Sequence, residues 1–239
     1  MKLMAIDSSG LTASVAILEE NKMVADYSVN YKKTHSQTLV PMLDEITKMT
    51  ETDLKTIDAI AISKGPGSFT GLRIGSSTAK GLGLALNIPI VEVATTDALA
   101  YNLYGTERIV CPIMDARREQ VYTGLYEFVK CGQSLEMNTL LESVAIGVED
   151  IINRINELGK PVVFLGDAVS VYKEKLEELV KVDYILAPAH MSHQRAASVA
   201  AIGARKLANG QSVPASEHVP EYLRLSQAER ERNEAMNGK

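Results

Sequence analysis

The sequence predicts an α/β protein in which an antiparallel meander leads into parallel crossovers. Three observations carry this. The β-rich runs "KLMAID" (Lys2 to Asp7), "TASVAILEE" and "MVADYSVNY" (Met23 to Tyr31) follow one another before any helical period appears. Helical and β-branched stretches then alternate, the order of strand–helix–strand crossovers. Finally, two apolar strands end in an aspartate, Asp7 and Asp115, and each precedes a turn and another β-rich run, which suggests a duplicated lobe.

The elements follow in order. The first two runs form a hairpin through "SSG", and "ENK" turns the chain into the third. From Ser36 to Met49, Leu39, Met42, Leu43, Ile46 and Met49 recur at the spacing of an amphipathic helix, so one stripe of it is committed to packing. "IDAIAIS" (Ile57 to Ser63) is dense enough in β-branched residues for a strand buried on both faces. "TGLRIGSSTAKGLGLALN" reads as a helix ending at Asn87, with Pro89 as its stop. "IPIVEV" is a strand and "TTDALAYNLYG" a short helix. In the second half, "IVCPIMD" (Ile109 to Asp115), "EQVYTGLYEF" (Glu119 to Phe128) and "PVVFLGD" read as strands, and "VEDIINRINEL" and "VSVYKEKLEEL" as helices. "SHQRAASVAAIGARKLAN" (Ser192 to Asn209) reads as a helix capped at Ser192 or His193 and closed by Gly210. The tail from Ser226 is highly charged and expected to fray or lie on a surface.

Composition narrows the function classes. With 46% hydrophobic and 23% charged residues in 239, the chain can bury an ordinary globular core. A net charge of −5 and the absence of Trp argue against a protein that grips nucleic acid alone by a basic face or by stacking. Two cysteines, Cys111 and Cys131, and no signal peptide point to the reducing cytoplasm, and no apolar run is long enough to span a membrane.

The stretch "ISKGPGSFTGLRIG" (Ile62 to Gly75) enters a helix from a strand, the context in which unpaired N–H groups bind an anion. It matches neither phosphate-binding pattern: no Gly-Lys pair follows, and Gly65, Gly67 and Gly71 are spaced one residue too widely for a dinucleotide fingerprint. Gly71, Gly75, Gly81 and Gly83 each cost a helix about 1 kcal/mol relative to Ala, so something must offset them. Gly71, Gly75 and Ala79 draw a smooth stripe for a close neighbour, which leaves tight packing within one lobe and an anion or interface role both open.

Other candidates are thin. Asp7 with Ser8 and Ser9 could face a phosphate or its metal ion, but a capped turn is the plainer account. His190 and His193 lack a third metal ligand, His35 reads as a helix-start residue, and Arg117, Arg118 and Glu119 as a solvated hairpin tip. No metal site and no catalytic constellation stands out.

Taken together, "LMAIDSS", "HSQTLVPMLDEI" with "DAIAISKGPGSFTGLRIGSSTAKGLGLALNIPIVEV", and "PIMDARREQVYTGLY" resemble the TsaB family, the dimerisation subunit of the bacterial machinery that makes threonylcarbamoyladenosine in tRNA. The likeness is close over the first 126 residues and looser as far as "EYLRL". It implies two ribonuclease-H-like lobes of the actin/Hsp70/sugar-kinase (ASKHA) superfamily: residues 1–105 with the partner-binding helices, 106–225 as the second lobe, and the 226–239 tail. Asp7, Ser8, Ser9, Gly65, Gly67 and Asp115 would then mark a vestigial nucleotide cleft. The catalytic paralogue, TsaD, carries a His-x-x-x-His metal motif where this chain has Thr95 and Leu99, neither an imidazole ligand.

The resemblance therefore implies a non-catalytic subunit that binds TsaD through its first two helices. The implied interface is His35, Leu39, Met42, Leu43, Ile46, Gly71, Leu72, Gly75, Ser76 and Ala79, with the face of each helix that meets the partner left open. A TsaE-type P-loop ATPase, tRNA held only through the complex, and a homodimer through the same helices complete the implied partners. It implies no cofactor of the chain's own and leaves ATP or ADP open at the complex interface. An independent kinase-like or ATPase member of the same fold, using Asp7 and Asp115, is the alternative.

Overall fold

The computed structural model describes residues 1–224, so the expected 226–239 tail lies outside the described residues. The first sheet is built from β1 (Lys2–Asp7), β2 (Ala13–Glu19), β3 (Lys22–Val29), β4 (Ala59–Gly65) and β5 (Ile90–Ala94) in the order β3-β2-β1-β4-β5. β1, β2 and β3 form the antiparallel meander, and β4 and β5 join in parallel through crossovers carrying α1 (His35–Met49) and α2 (Phe69–Leu86). The second sheet repeats this order, β10-β9-β6-β7-β8, with β6 (Ile109–Asp115), β7 (Gln120–Cys131), β8 (Ser134–Gly147), β9 (Val162–Leu165) and β10 (Tyr184–Leu186). The duplicated lobe suggested by Asp7 and Asp115 is thus present strand for strand, as two five-stranded sheets of the same order.

Alternation along the first sheet separates two cores. Met4, Ile6, Val15, Ile17, Ile60 and Ile62 face α1 and α2 on one side, while Leu3, Ala5, Ala16, Ala59, Ala61, Val91 and Val93 face the other. In the second sheet, Ile109, Cys111, Ile113, Val121, Leu125 and Phe164 pack on α4 (Val148–Leu158), α5 (Ala168–Val171) and α6 (Lys173–Leu179). α3 (Thr95–Tyr101) joins the sheets: Ala98 belongs to the inner core of the first, Leu99 and Ala100 to that of the second.

The expected second lobe, 106–225, is not one unit. α7 (Ala196–Ala208) returns to the inner face of the first sheet, and Val213 pairs with Ile90 beside β5. Side-chain size is the reason. The strands offer Ala5, Ala16, Ala59 and Ala61, and α7 answers with Ala196, Ala200, Gly203 and Ala204, so helix and sheet approach closely; a Cβ on Gly203 would lie 2.6 Å from that of Ala61.

α7 also begins later than expected. Its N-cap is Arg195, whose side chain makes no cap bond, and Ser192 and His193 stay outside the helix. The cap comes instead from another strand: Ser14 Oγ on β2 accepts from Ala196 N at 2.8 Å. Two strands escape the sequence reading altogether, β8 and β10. Gly132 at positive φ turns β7 into β8, whose Leu135, Met137 and Leu141 alternate with more exposed neighbours, the signal that would have found it. β10 is three residues long and too short for any period. Loss of the cross-strand cap in Ser14→Ala should cost about 1–2 kcal/mol of stability, read as a lower urea midpoint with an unchanged slope.

Candidate functional site

The sequence places a carboxylate at the end of β1 and two serines in the turn after it. In the structure all three are buried, Asp7 completely. Asp7 Oδ1 accepts from Ser9 Oγ at 2.6 Å and from Ser9 N at 2.9 Å, and Oδ2 accepts from Ser63 Oγ on β4 at 2.5 Å. Burial raises the carboxyl above the ordinary aspartate range, and the donors from Ser63 and Ser9 pull it part of the way back.

α2 is bolted directly onto this turn. Its N-cap Ser68 donates its N–H to Ser9 O at 2.7 Å, and Ser8 Oγ donates to Gly71 O at 2.8 Å. A Cβ on Gly67 would lie 2.3 Å from Ser9 O, on Gly71 2.1 Å from Ser8 O, and on Gly75 2.2 Å from Ser8 Oγ. These contacts are what offsets the helical glycines; Gly83 is similarly held against Ala215, whereas Gly81 meets nothing. Asp7, Ser8, Ser9 and Gly67 therefore form one packed cluster, while Gly65, at the end of β4, lies instead under the Glu221 carbonyl. Asp115 is not part of it: it closes β6, where its N–H donates to Asp167 Oδ1 at 3.1 Å and its carboxylate pairs with Arg117 at 3.2 Å.

The expected interface residues are also spent internally. Leu39, Met42, Leu43, Ile46 and Ala79 lie in the core against Met4, Ile6, Val15 and Ile62, and Gly71, Leu72, Gly75 and Ser76 are buried on the inner side of α2. Their amphipathic stripe covers this chain's own sheet, so another face of the helices is left to solvent. A groove of about 350 Å³ runs between α1 and α2, lined by Ser36, Val40, Arg73, Ile74, Ser77 and Thr78 with His35 and the edge of Leu39. Val40 is 58% exposed at its rim. His35 is tied to the turn behind it, Nε2 lying 2.8 Å from Gly10 O. The sequence signal for this face was Val40, an apolar residue off the helical stripe.

The remaining candidates are placed plainly. Thr95, at the start of α3, and Leu99, one turn further on, are buried, and among the described residues no three His, Cys, Asp or Glu side chains gather as metal ligands. Cys111 is buried, its thiol pushed up to about 12 by desolvation, and Cys131 is exposed. Arg117, Arg118 and Glu119 form an exposed hairpin tip in which all three residues have positive φ.

Comparison with known proteins assigns this architecture. A sequence model of the family described as "TsaD: tRNA N6-adenosine threonylcarbamoyltransferase" matches residues 23–232. The chain is 35% identical over 235 residues, 96% of each chain, to the tRNA threonylcarbamoyladenosine biosynthesis protein TsaB of Bacillus subtilis. It belongs to the TsaB family. The TsaB of Escherichia coli is 35% identical over 130 residues, 53% of this chain and 55% of that one. Among solved structures, a Pseudomonas aeruginosa protein described as similar to peptidase YeaZ superposes with a TM-score of 0.79 at 29% identity, covering 93% of this chain and 99% of that one. The chain is thus a TsaB-family member of tRNA threonylcarbamoyladenosine biosynthesis.

In this TsaB-family fold a second carboxylate, half-buried, joins the lobes. Tyr126 Oη on β7 lies 2.9 Å from Asp97 Oδ1 and 2.8 Å from Thr96 Oγ1 on α3. Burial raises Asp97 as it does Asp7, and it raises Tyr126 as well.

Two measurements follow from these geometries. Gly71→Ala forces a methyl onto the Ser8 carbonyl and should cost about 1–3 kcal/mol, while Gly81→Ala, in open space, should stabilise by up to about 1 kcal/mol; urea titration of both variants checks the contrast. The pH dependence follows from Asp7. Its folded pKa lies above the unfolded value of about 3.9, so the native state holds a proton that the unfolded chain has lost, and this contribution to stability falls as pH rises from about 4 through the folded value. Asp7→Asn should remove that fall, making the stability–pH slope more positive by at most about 1.4 kcal/mol per pH unit in that window.

Proposed function

We propose that this chain is the non-catalytic partner that binds and activates a TsaD-type threonylcarbamoyltransferase for N6-threonylcarbamoylation of the adenosine next to the tRNA anticodon. The observation that carries the reading is the state of the strand-end carboxylate. Asp7 has no exposed surface and both its oxygens accept hydrogen bonds from the chain's own serines, an arrangement suited to holding a turn rather than to activating a substrate. This favours the subunit reading over the kinase-like or ATPase alternative.

Docking falls to the outer face of α1 and α2. Val40 and Ile74 supply apolar surface, Arg73 a planar cation at the groove, and Ser36, Ser77 and Thr78 a polar rim, an apolar centre within a polar border. Burying Val40 alone would contribute on the order of 1.5 kcal/mol. In this reading the groove takes the partner's helices, and a second copy of the chain uses the same face when the partner is absent. ATP or ADP belongs to the complex interface, a TsaE-type P-loop ATPase joins the assembly, and tRNA is held by the complex in the cytoplasm. A net charge of −5 fits a subunit that leaves tRNA binding to its partners.

The test is nucleoside mass spectrometry of bulk tRNA from cells depleted of this protein, complemented by wild type or by Val40→Arg. Threonylcarbamoyladenosine should disappear on depletion and return with wild type. Val40→Arg should restore at most about a tenth of it while folding normally. Full modification in depleted cells would overturn the reading, and full rescue by Val40→Arg would move the docking face elsewhere.

A further inference from the structure

After α7 the chain crosses the molecule from Val213 to Arg224, with a turn at 215–217, and its contacts visit both lobes. Val213 exchanges two backbone hydrogen bonds with Ile90 at 2.8 and 2.9 Å. Lys80 of α2 donates to the carbonyls of Ser216 and His218 at 3.0 and 2.9 Å, and buried His218 holds Glu92 through Nδ1 at 2.7 Å. Glu221 donates its N–H to Lys64 O at 2.7 Å and pairs with the Lys64 ammonium at 2.9 Å. Its own carbonyl lies over Gly65, where a Cβ would come within 2.2 Å.

The last contacts join two surfaces. The Tyr222 ring packs on Phe69 at 4.6 Å between centroids, and Arg73 bonds the Tyr222 hydroxyl at 3.3 Å while its guanidinium lies 4.0 Å from the Phe69 ring centre. Arg73 also lines the α1–α2 groove. Two residues further on, the Arg224 guanidinium donates to the carbonyls of Ala116 and Arg117, at the second lobe's hairpin tip. That tip is the stretch in which Arg117, Arg118 and Glu119 sit at φ of 65°, 55° and 58°, a conformation costly for side-chain-bearing residues unless its surroundings enforce it.

We propose that residues 213–224 are a strap that couples the α1–α2 groove to the β6–β7 turn of the second lobe, with Arg73 as the residue shared between groove and strap. Arg73 positioned against Phe69 and Tyr222 sets the end of the strap, and the end of the strap sets Arg224 on the turn carbonyls. A molecule that draws Arg73 into the groove therefore loosens Tyr222 and releases the strained turn. The identity of that molecule rests on the docking proposed above; the coupling itself is a property of the isolated chain.

Hydrogen exchange by mass spectrometry on the full-length free chain, at a dilution where light scattering shows a monomer, tests this, comparing wild type with Arg73→Ala, Tyr222→Ala, Arg224→Ala and the double variant Arg73→Ala/Arg224→Ala. The turn peptide spanning 116–120 should exchange about tenfold faster in each single variant, and no faster in the double variant than in Arg224→Ala. Amides of β9 serve as the reference: unchanged exchange there separates release of the turn from general destabilisation. Wild-type exchange at the turn in Arg73→Ala or Tyr222→Ala would overturn the coupling. So would additive acceleration in the double variant, which would make groove and turn independent, or equal acceleration in β9. Because no partner is present, these outcomes stand apart from the tRNA assay that tests the docking reading.

Discussion

The contact on which the rest of this structure depends is the one between α2 and the turn that closes β1. Three donors gather on a carboxylate with no access to water, and Ser9, which supplies two of them, is pinned in turn by the N-cap of α2, as Ser8 beside it is pinned to Gly71. An unpaired carboxylate in that position would cost several kcal/mol, so the turn has one workable conformation. Given that conformation, α2 must arrive without side chains at Gly71 and Gly75. Its place then determines the rest of the outer layer. α1 packs beside it over the same core, His35 reaches the neighbouring Gly10 carbonyl, and the space between the two helices becomes the groove.

That chain of constraints explains what the glycines of a loop with the look of an anion site pack against here. Glycines serve any close approach, to a phosphate or to the chain's own backbone, and the sequence pattern is the same for both. Only the neighbour distinguishes them, and the neighbour, Ser8, lies more than sixty residues away in the chain. The same ambiguity surrounds the amphipathic stripe of α1. A stripe of Leu39, Met42, Leu43 and Ile46 announces that one face is buried without saying against what. Because the sheet claims that face, whatever approaches from outside meets Val40, Arg73 and Ile74 instead.

Much of the fold was legible because its signals are local. β1, α1, β6 and α4 have clear periods or abrupt ends, and the repeat of strand, aspartate and turn foretold the second sheet. The family resemblance was carried by contiguous segments and needed no geometry. What stayed hidden depends on distant partners. The start of α7 is set by Ser14, nearly the whole chain away, so the capping residues next to it in sequence misled. Its return to the first sheet depends on matching alanines that no single segment displays. The groove residues are individually unremarkable, and only the burial of their neighbours singles them out. β8 does alternate Leu135, Met137 and Leu141 with exposed neighbours and so carries a legible period, while three-residue β10 is too short to carry one.

The return of α7 also has a consequence for how the molecule is made. Protein synthesis delivers the chain from its N-terminus at about 5–20 residues per second, and domains generally fold as they emerge. Here the first sheet is complete in sequence by Ala94, yet among the described residues its alanine-lined inner face has only the short α3 as helical cover until residues 196–208 exist. For roughly a hundred residues of synthesis the part of that surface which α7 will cover stands bare or borrows a substitute. The second lobe, whose sheet and outer helices all fall between Ile109 and Leu186, carries no such debt and can close first. The lobe encoded first is then the lobe finished last, and the growing chain must keep its exposed face from other chains during the interval.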